Sequence, residues 1–353
     1  MKRALITGSS GLIGSEAAEH FDSTGWDAHG LDNNMRLEFF GPAGDTTWNL
    51  HRLRGVTRNF THHDLDIRDR DSLFDLFKQC HFDLIIHCAA QPSHDRAAQI
   101  PLDDFDVNAV GTFNLLEATR RYSGDAVFIL MSTNKVYGDA PNELPLVELE
   151  TRWDYARHED YPGISEECRI DRSLHSLFGA SKLSADIAAQ EYGRYYGMKT
   201  GVFRGGCLTG PSHSGVELHG FLSYLVKTAV HGQEYRVIGH RGKQVRDQIH
   251  SADVIAAFEE FYAAPRPGEV YNIGGGRENS ASILECFSLI EDRLGQSVRC
   301  RYDDAPRRGD HVCYISDMAK LRRHFPGWNV TRGLEEIVAG LIDAELARAA
   351  CGR

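Results

Sequence analysis

The sequence predicts an α/β protein with a doubly wound parallel sheet and a smaller C-terminal lobe. Three observations support this prediction. Short apolar runs alternate with helical patterns over the first 206 residues, a glycine-rich turn follows the first run, and a Gly-, Ser- and Pro-rich segment then precedes mostly helical sequence. Alternating strands and helices require right-handed crossovers, which produce a parallel sheet covered on both faces.

The predicted elements follow one another in a regular order. Strands are predicted at RALIT (3–7), DAHGLD (27–32), DLIIHCAA (83–90), AVFILMST (126–133), KTGVFRGG (199–206) and EVYNIGGG (269–276). Helices are predicted at GLIGSEAAEHFDSTG (11–25), RDSLFDLFKQC (70–80), NAVGTFNLLEATRRY (108–122), GASKLSADIAAQEYGRYYG (179–197) and FLSYLVKTAVHG (221–232). The short strands are apolar and the longer segments have helical spacing, as this fold class requires.

Composition and charge exclude several classes of function. The 353 residues have a formal net charge of −11, which argues against a broad surface for nucleic acid or anionic membranes. No apolar run approaches the roughly 18 residues of a membrane span, and the first residues lack a signal-peptide core. The eight cysteines show no CxxC spacing, which is typical of reduced thiols. We therefore expect a cytoplasmic protein without a metal, nucleic-acid partner or membrane contact.

The segment TGSSGLIG, between the first strand and the first helix, predicts a dinucleotide site. Its glycines permit a tight turn and close approach of the backbone to a pyrophosphate, which the helix N-terminus stabilises. Asp32 ends the second strand 18 residues after Gly14. A carboxylate there accepts ribose hydroxyls and repels a 2′-phosphate, which favours NAD over NADP. The predicted NAD contacts of this region are Gly8, Gly11, Leu12, Ile13, Gly14, Asp32 and Asn33.

The G-x-x-G-x-x-G spacing resembles the extended short-chain dehydrogenase/reductases, within the NAD-dependent epimerase/dehydratase family. Further resemblance lies in LDIRD (65–69), HCAAQ (87–91), NAVGTFNLLEA (108–118), VRDQIHSADV (245–254) and RRGD (307–310). It implies a Rossmann-type NAD-binding domain at 1–206, with 236–275 returning to it, and a sugar-nucleotide lobe at 207–235 and 276–353. The further NAD contacts that it implies are Asp66, Ile67, Ala89, Ala90, Gln91, Asn108 and Lys182, and the implied diphosphate ligands are Arg246 and Arg307.

Four further segments narrow the resemblance to CDP-tyvelose (CDP-paratose) 2-epimerases. These segments are MSTNKVYGD (131–139), GISEECRIDRSLHS (163–176), GKQVRD (242–247) and VYNIGGG (270–276). The resemblance implies transient oxidation of a nucleotide-diphosphate sugar to a keto-sugar, followed by reduction on the opposite face. Thr133 would bind the reacting hydroxyl and Lys182 the nicotinamide ribose. Asn134, Lys135 and Cys207 would also contact the substrate. The resemblance further implies a homodimer formed by the helices that carry Asn108 and Lys182.

Phe178 is the main departure from the family pattern, because it stands where the family has its catalytic tyrosine. A phenyl ring cannot transfer a proton. The proton could pass instead to His94 (with Asp95 orienting the ring), Tyr137, Cys207 or His213. Alternatively, the phenylalanine is an engineered replacement of the tyrosine, or the protein binds NAD and a sugar nucleotide without turnover.

Two alternative functions follow from the same motifs. A sugar-nucleotide dehydratase or decarboxylase needs an acid/base pair beside Thr133, commonly Asp-Glu. The sequence has Asn134 and Lys135 there, which argues against dehydration. The other alternative is a non-catalytic module that binds NAD and a sugar nucleotide, which would require no proton carrier at position 178.

Overall fold

The computed structural model describes residues 1–305 and 309–350, which form two compact units. The first unit contains residues 1–136, 176–205 and 254–271. The second contains 137–175, 206–253 and the described residues from 272 onward. Each unit therefore combines segments that are distant in sequence.

The described residues form fifteen strands and thirteen α-helices. The strands are β1 (Arg3–Thr7), β2 (Asp27–Leu31), β3 (Phe60–His63), β4 (Leu84–His87), β5 (Val127–Thr133), β6 (Leu146–Glu148), β7 (Trp153–Tyr155), β8 (Lys199–Gly205), β9 (Cys207–Thr209), β10 (Tyr235–Ile238), β11 (Val245–His250), β12 (Glu269–Ile273), β13 (Ser280–Ser282), β14 (Cys300–Asp303) and β15 (Cys313–Tyr314). The helices are α1 (Leu12–Ser23), α2 (Met35–Phe40), α3 (Thr47–Val56), α4 (Arg70–Gln79), α5 (His94–Gln99), α6 (Pro101–Phe105), α7 (Gly111–Tyr122), α8 (Leu177–Tyr196), α9 (Phe221–Val230), α10 (Ser251–Ala263), α11 (Ile283–Leu294), α12 (Ala319–His324) and α13 (Leu334–Ala350).

The first unit is built on a seven-stranded sheet in the order β12-β8-β5-β4-β1-β2-β3. The strands from β3 through β2, β1, β4 and β5 to β8 pair in parallel. The central strand β4 (LIIH) is buried along its whole length, which is the pattern of a parallel strand covered on both faces. This architecture confirms the α/β fold class that the sequence predicts.

The strand order reverses between β1 and β4, which are neighbours in the sheet. The chain proceeds outward from β1 to β2 and β3, and then returns to β4 on the other side of β1. In open α/β sheets of this kind, ligands bind beyond the carboxyl ends of the strands at the point of reversal. The turn after Thr7 and the segment after His87 therefore lie at the expected binding edge.

Helix α8 has a defined beginning and end and packs inside the first unit. Ser176 caps its N-terminus by accepting a hydrogen bond from the Gly179 amide, and Gly197 ends it in the left-handed conformation. The helix packs against β5, β8, α5, α6 and α7. It holds the side chain of Lys182 against β5, where Nζ donates to Met131 O.

The second unit has smaller sheets and its own hydrophobic core. Strand β11 pairs with β13, β15 and β9, while β10 pairs with β14 and β6 with β7. The core lies among α9, α11 and α13 and includes Leu225, Ile290 and Leu341. Strand β11 carries Arg246 and adjoins β9, which carries Cys207.

The division of the chain differs from the predicted boundaries in two places. Residues 137–175 lie in the second unit, where the Trp153 amide donates to Lys243 O (2.8 Å) and the Ile164 amide to Ile315 O (2.8 Å). Only 254–271 of the predicted segment 236–275 join the first unit, because β12 extends its sheet. These backbone hydrogen bonds join residues 90 or more positions apart, so local sequence patterns do not reveal them.

Within 1–305 and 309–350, no helix is both long and apolar enough to cross a membrane.

Candidate functional site

The glycine turn after β1 has the geometry of a dinucleotide-binding loop. Gly8 adopts a φ of +68°, and a Cβ there would lie 2.8 Å from the Ala89 amide nitrogen. A Cβ on Gly14 would lie 2.1 Å from the Gly8 carbonyl oxygen. Gly11 is the N-cap of α1 and provides no side chain to cap the helix. The first amides of α1, at Leu12 and Ile13, are therefore available to a pyrophosphate.

The carboxylate of Asp32 is fixed at the end of β2. Its Oδ2 accepts a hydrogen bond from the Ser10 amide (2.9 Å), and its Oδ1 accepts one from the Asn34 amide (2.8 Å). Asn34 is held in turn by Asp45, to which its side-chain amide donates (2.8 Å). This arrangement keeps the Asp32 carboxylate beside the glycine turn, as a ribose-binding carboxylate requires.

Arg36 is a neighbour of Asp32 that was not predicted from the sequence. Burial lowers the pKa of the Arg36 guanidinium to about 10, and the negative charge of Asp32 opposes this shift. The guanidinium also lies over the ring of Phe40, 5.0 Å from its centroid. Its position four residues after Asp32 is the sequence signal that could have revealed it.

The segment LDIRD, whose Asp66 and Ile67 are predicted to contact NAD, is held by the chain's own side chains. Asp66 accepts hydrogen bonds from Arg68 (Nη2 to Oδ2, 2.7 Å) and from Asn33 (Nδ2 to Oδ2, 3.2 Å). Burial raises the pKa of Asp66, but its hydrogen bonds and the charge of Arg68 outweigh burial and lower it overall. Ile67 is buried against α7, where a Cβ on Gly111 would lie 2.6 Å from its Cδ1.

A buried hydrogen-bond network joins the segment after β4 to α8. Ala89 and Ala90 precede Gln91, whose Nε2 donates to Asp104 Oδ1 (2.7 Å). Asn108 lies in a π-helical turn, and its Nδ2 has acceptors on Gln91, Asp104 and Ser181 at 3.0–3.1 Å. Gln91 and Asn108 were predicted from the sequence, whereas Asp104 was not.

Asp104 connects this network directly to the helix that carries Lys182. Its Oδ2 accepts a hydrogen bond from Ser181 Oγ (2.6 Å). Burial raises the pKa of Asp104, although the hydrogen bonds from Ser181 and Gln91 oppose the shift. The network therefore sets the position of α8 relative to the segment after β4.

Lys182 is buried and its ammonium group donates to one backbone carbonyl. The side chain is 4% exposed, and Nζ lies 2.9 Å from Met131 O on β5. Burial lowers the pKa of Lys182 to about 8, while the charges of Cys88, Asp186 and Asp104 act in the opposite direction. Thr133 ends the same strand two residues later, and its Oγ1 accepts from the Lys135 amide (3.2 Å).

Phe178 lies one helical turn before Lys182 and is 7% exposed. Its ring occupies a mostly covered position without a polar atom. Lys182 contacts the strand that Thr133 ends, and Phe178 lies in the first turn of the helix that carries Lys182. The phenyl ring at position 178 cannot act as a general base.

The four candidate proton carriers differ in their surroundings. Tyr137 is fully buried, and its hydroxyl donates to Asn272 Oδ1 (2.7 Å). Burial raises the pKa of the Cys207 thiol to about 11. The Nδ1 atom of His213 lies 3.1 Å from Ser223 Oγ.

His94 differs from these three candidates because both of its ring nitrogens are buried without a hydrogen-bond partner.

The predicted substrate residues of the second unit centre on Arg246. Its Nη2 donates to Asp310 Oδ1 (2.6 Å) and its Nη1 to Val245 O (2.7 Å). Cys207 lies on the neighbouring strand β9. The charge of Arg246 lowers the pKa of the Cys207 thiol, although burial raises it overall. Arg307 lies outside the described residues. No cluster of three or more potential metal-ligating side chains occurs in the described ranges.

The chain is similar to known proteins in both sequence and fold. The sequence model of the NAD dependent epimerase/dehydratase family matches residues 4–274. The CDP-paratose 2-epimerase of Salmonella typhi is 33% identical over 328 residues, which cover 90% of this chain and 92% of that enzyme. The dTDP-glucose 4,6-dehydratase of Escherichia coli is 28% identical over 356 residues, covering 92% and 88%. The UDP-glucose 4-epimerase from Bifidobacterium longum, solved with NAD+ and UDP, has a TM-score of 0.81 at 20% identity, with 99% of each chain covered.

The low pKa of Lys182 predicts a pH-dependent contribution to stability. The folded state has a pKa of about 8 against an ordinary value of 10.5, so it disfavours the charged amine. This cost is full below pH 8 and disappears as the pH rises to 10.5. The free energy of unfolding of the wild type, relative to Lys182→Met, should therefore rise by about 3 kcal/mol over this range.

Urea denaturation at several pH values measures this difference. Lys199→Met is the matched control, because the exposed Lys199 ammonium donates to Asp125 O and should give no comparable rise. A flat difference for Lys182→Met would contradict the burial argument.

Proposed function

Because the chain belongs to the NAD dependent epimerase/dehydratase family, we propose that it is an NAD-dependent nucleotide-sugar epimerase of the CDP-sugar 2-epimerase type. The family agrees with the one predicted from the glycine spacing. The observation that carries the finer proposal is the similarity to the Salmonella typhi CDP-paratose 2-epimerase along nearly the whole chain. The side chains after Thr133 support epimerisation over dehydration, since Asn134 and Lys135 do not form a carboxylate pair.

The residues of the first unit fit NAD. Cβ atoms at Gly8 or Gly14 would lie under 3 Å from backbone atoms, so only glycine fits at these positions. The resulting tight turn lets the backbone approach a pyrophosphate closely. The open amides of α1 would bind the pyrophosphate. Asp32 would accept hydrogen bonds from the ribose hydroxyls. The cofactor, when bound, supplies a hydride acceptor that returns the hydride in the same catalytic cycle.

Two side chains would orient the reacting groups in this proposal. Lys182 Nζ has further hydrogens beyond the one donated to Met131 O, and these would bind the nicotinamide ribose. Thr133 Oγ1 would donate to the sugar oxygen whose carbon is oxidised. On the second unit, Arg246 would bind the nucleotide diphosphate, because a guanidinium matches phosphate geometry.

We further propose a homodimer formed by α7 and α8. Their outer surfaces carry large apolar side chains, with Phe113 44% exposed, Ile187 41%, Tyr195 82% and Tyr196 57%. Phe113 and Tyr196 both pack against Tyr192, which forms an aromatic cluster. Exposed apolar patches of this kind are typical of association surfaces. The dimer is consistent with the resemblance noted in the sequence.

The proposed reaction predicts that the wild type, supplied with NAD, converts CDP-paratose into its 2-epimer. Thr133→Val should lower kcat, because it removes the hydroxyl that donates to the reacting oxygen. Arg246→Met should raise KM about ten- to hundredfold, since a charge-assisted hydrogen bond contributes about 1.5–3 kcal/mol. Nuclear magnetic resonance of the reaction mixture distinguishes the two sugars.

Arg293→Met is the control for this experiment. Arg293 forms an exposed ion pair with Asp343 (3.3 Å) on the second unit, so kinetics should not change. A product lighter by one water in mass spectrometry would favour the dehydratase instead. Binding of NAD and nucleotide sugars without conversion of any of them would favour the non-catalytic alternative.

Asp32→Ala should weaken NAD binding about ten- to hundredfold, because it removes an acceptor for the ribose hydroxyls. It should also strengthen NADP binding, since the repulsion of a 2′-phosphate disappears while the cationic Arg36 remains. Isothermal titration calorimetry with each dinucleotide measures both effects. Asp75→Ala, on the exposed surface of α4, is the matched control. An unchanged ratio of NAD to NADP affinity would contradict the role of Asp32.

The dimer proposal predicts a sedimenting mass of twice the 39.5 kDa chain. Ile187→Glu combined with Tyr195→Glu should yield a monomer, because two charges would enter an apolar contact. Tyr302→Glu is the matched control, since Tyr302 is 54% exposed but lies on β14 of the second unit. A monomeric wild type in analytical ultracentrifugation would contradict the proposal.

A further inference from the structure

The imidazole of His94 is an unusual polar group among the described residues. Neither ring nitrogen has a hydrogen-bond partner, and both are shielded from solvent. The side chain as a whole is nevertheless 22% exposed, so the atoms on its exposed edge are carbons. Leaving a buried polar atom without a partner costs about 1–3 kcal/mol, and such exceptions commonly mark a catalytic or ligand-binding role.

The backbone at His94 is held firmly relative to α8. The amide of Ser93 donates to Gln91 Oε1 (2.7 Å), and Gln91 Nε2 donates to Asp104 Oδ1 (2.7 Å). Ser181 Oγ then donates to Asp104 Oδ2 (2.6 Å). Three hydrogen bonds thus connect the residue before His94 with the residue before Lys182.

The ring of His94 itself has more freedom than its backbone. No hydrogen bond fixes its orientation, and rotation about the Cβ–Cγ bond has two broad minima. A half-turn exchanges the two nitrogens with the two ring carbons, which would place a nitrogen at the exposed edge. A sugar hydroxyl at that edge would supply the partner that the ring lacks.

Asp95 places a carboxylate beside the ring. In the ring orientation of the structure, its Oδ1 is 3.5 Å from His94 Nδ1. After a half-turn the same carboxylate would adjoin Cδ2 and would remain a neighbour of the ring. Helix α5, which begins at His94, also packs against α8, the helix of Phe178.

The other candidates are less suited to transfer a proton. The Tyr137 hydroxyl already donates to Asn272 inside the second unit, and exchanging that partner would leave a buried acceptor unsatisfied. The Cys207 thiol stays protonated near neutral pH, because burial raises its pKa to about 11. One ring nitrogen of His213 is already engaged, since its Nδ1 lies 3.1 Å from Ser223 Oγ.

We propose that His94 is the catalytic acid/base that replaces the missing tyrosine at position 178; this rests on the proposed epimerase function. The imidazole would accept the proton of the sugar hydroxyl as its C–O bond becomes C=O, and NAD, when bound, would supply the acceptor for the C–H hydride. Once the keto-sugar presents its other face, return of the hydride would re-form a C–H bond on the opposite face of the same carbon. The imidazolium returns its proton to the oxygen, so atoms and charges balance over one cycle.

The test compares His94→Gln with the wild type under saturating NAD and CDP-paratose. Removing a general acid/base lowers the rate about 10²–10⁴-fold, so kcat should fall by that factor while NAD affinity stays unchanged. His81→Gln is the matched control, since His81 is an exposed histidine of the same unit that contacts Tyr122 O. Thermal denaturation checks that each variant is folded.

Phe178→Tyr in the His94→Gln background is the decisive variant. If His94 carries the proton, the new phenol should raise kcat at least tenfold above that of the His94→Gln variant. If His94 only supports the fold, the phenol should restore nothing. A His94→Gln variant within about threefold of wild-type kcat overturns the proposal.

Nuclear magnetic resonance of the labelled imidazole provides a readout that does not depend on turnover. In NAD-loaded protein, CDP-paratose should shift the His94 ring nitrogen signals, whereas CDP without the sugar should not. The absence of any sugar-specific shift overturns the proposal. A wild type that converts no nucleotide sugar contradicts the proposed function and this proposal together, whereas an active His94→Gln variant contradicts only the role of His94.

Discussion

The buried ion pair between Asp186 and Arg204 determines the geometry of the first unit's functional edge. Both Asp186 oxygens accept from the guanidinium at 2.9–3.0 Å, and neither side chain is more than 5% exposed. Gln190 and Ser132 donate to the same carboxylate at 2.7 and 2.6 Å. Such a pair is tolerable inside a protein only when its hydrogen bonds are satisfied. It therefore fixes α8 against β5 and β8, and with α8 the position of Lys182.

From this fixed helix, the polar groups of the edge divide into two kinds. Ser181, Asp104 and Asn108 satisfy one another in a closed network and need no ligand. Lys182 and His94 retain unused hydrogen-bonding capacity. The Lys182 ammonium donates to one carbonyl oxygen, and neither ring nitrogen of His94 has a hydrogen-bond partner. Closed networks maintain structure, whereas unused capacity at a fixed position is what a ligand can satisfy.

The sequence predicted those parts of the fold and site that depend on local pattern. Gly14 could be recognised because the close backbone contact that requires glycine is to Gly8, only six residues earlier in the chain. Asp104 could not be recognised, because its partner Ser181 lies 77 residues away and an isolated carboxylate resembles a solvated charge. Residues 137–175 lie in the second unit and differ from the predicted boundary for the same reason, since their partners Lys243 and Ile315 lie next to β11 and β15.

A phenylalanine at position 178 is compatible with the proposed function, because the groups proposed to bind NAD differ from the group proposed to transfer the proton. The glycine turn and Asp32 act through backbone geometry and a fixed carboxylate, neither of which involves position 178. Phe178 fills its covered place without leaving a buried hydroxyl to satisfy. The loss of a phenol also removes an acid whose ionisation the ammonium of Lys182 would otherwise promote. The proposed proton carrier on the segment after β4 lies beside a different charge, since Asp95 Oδ1 is 3.5 Å from His94 Nδ1.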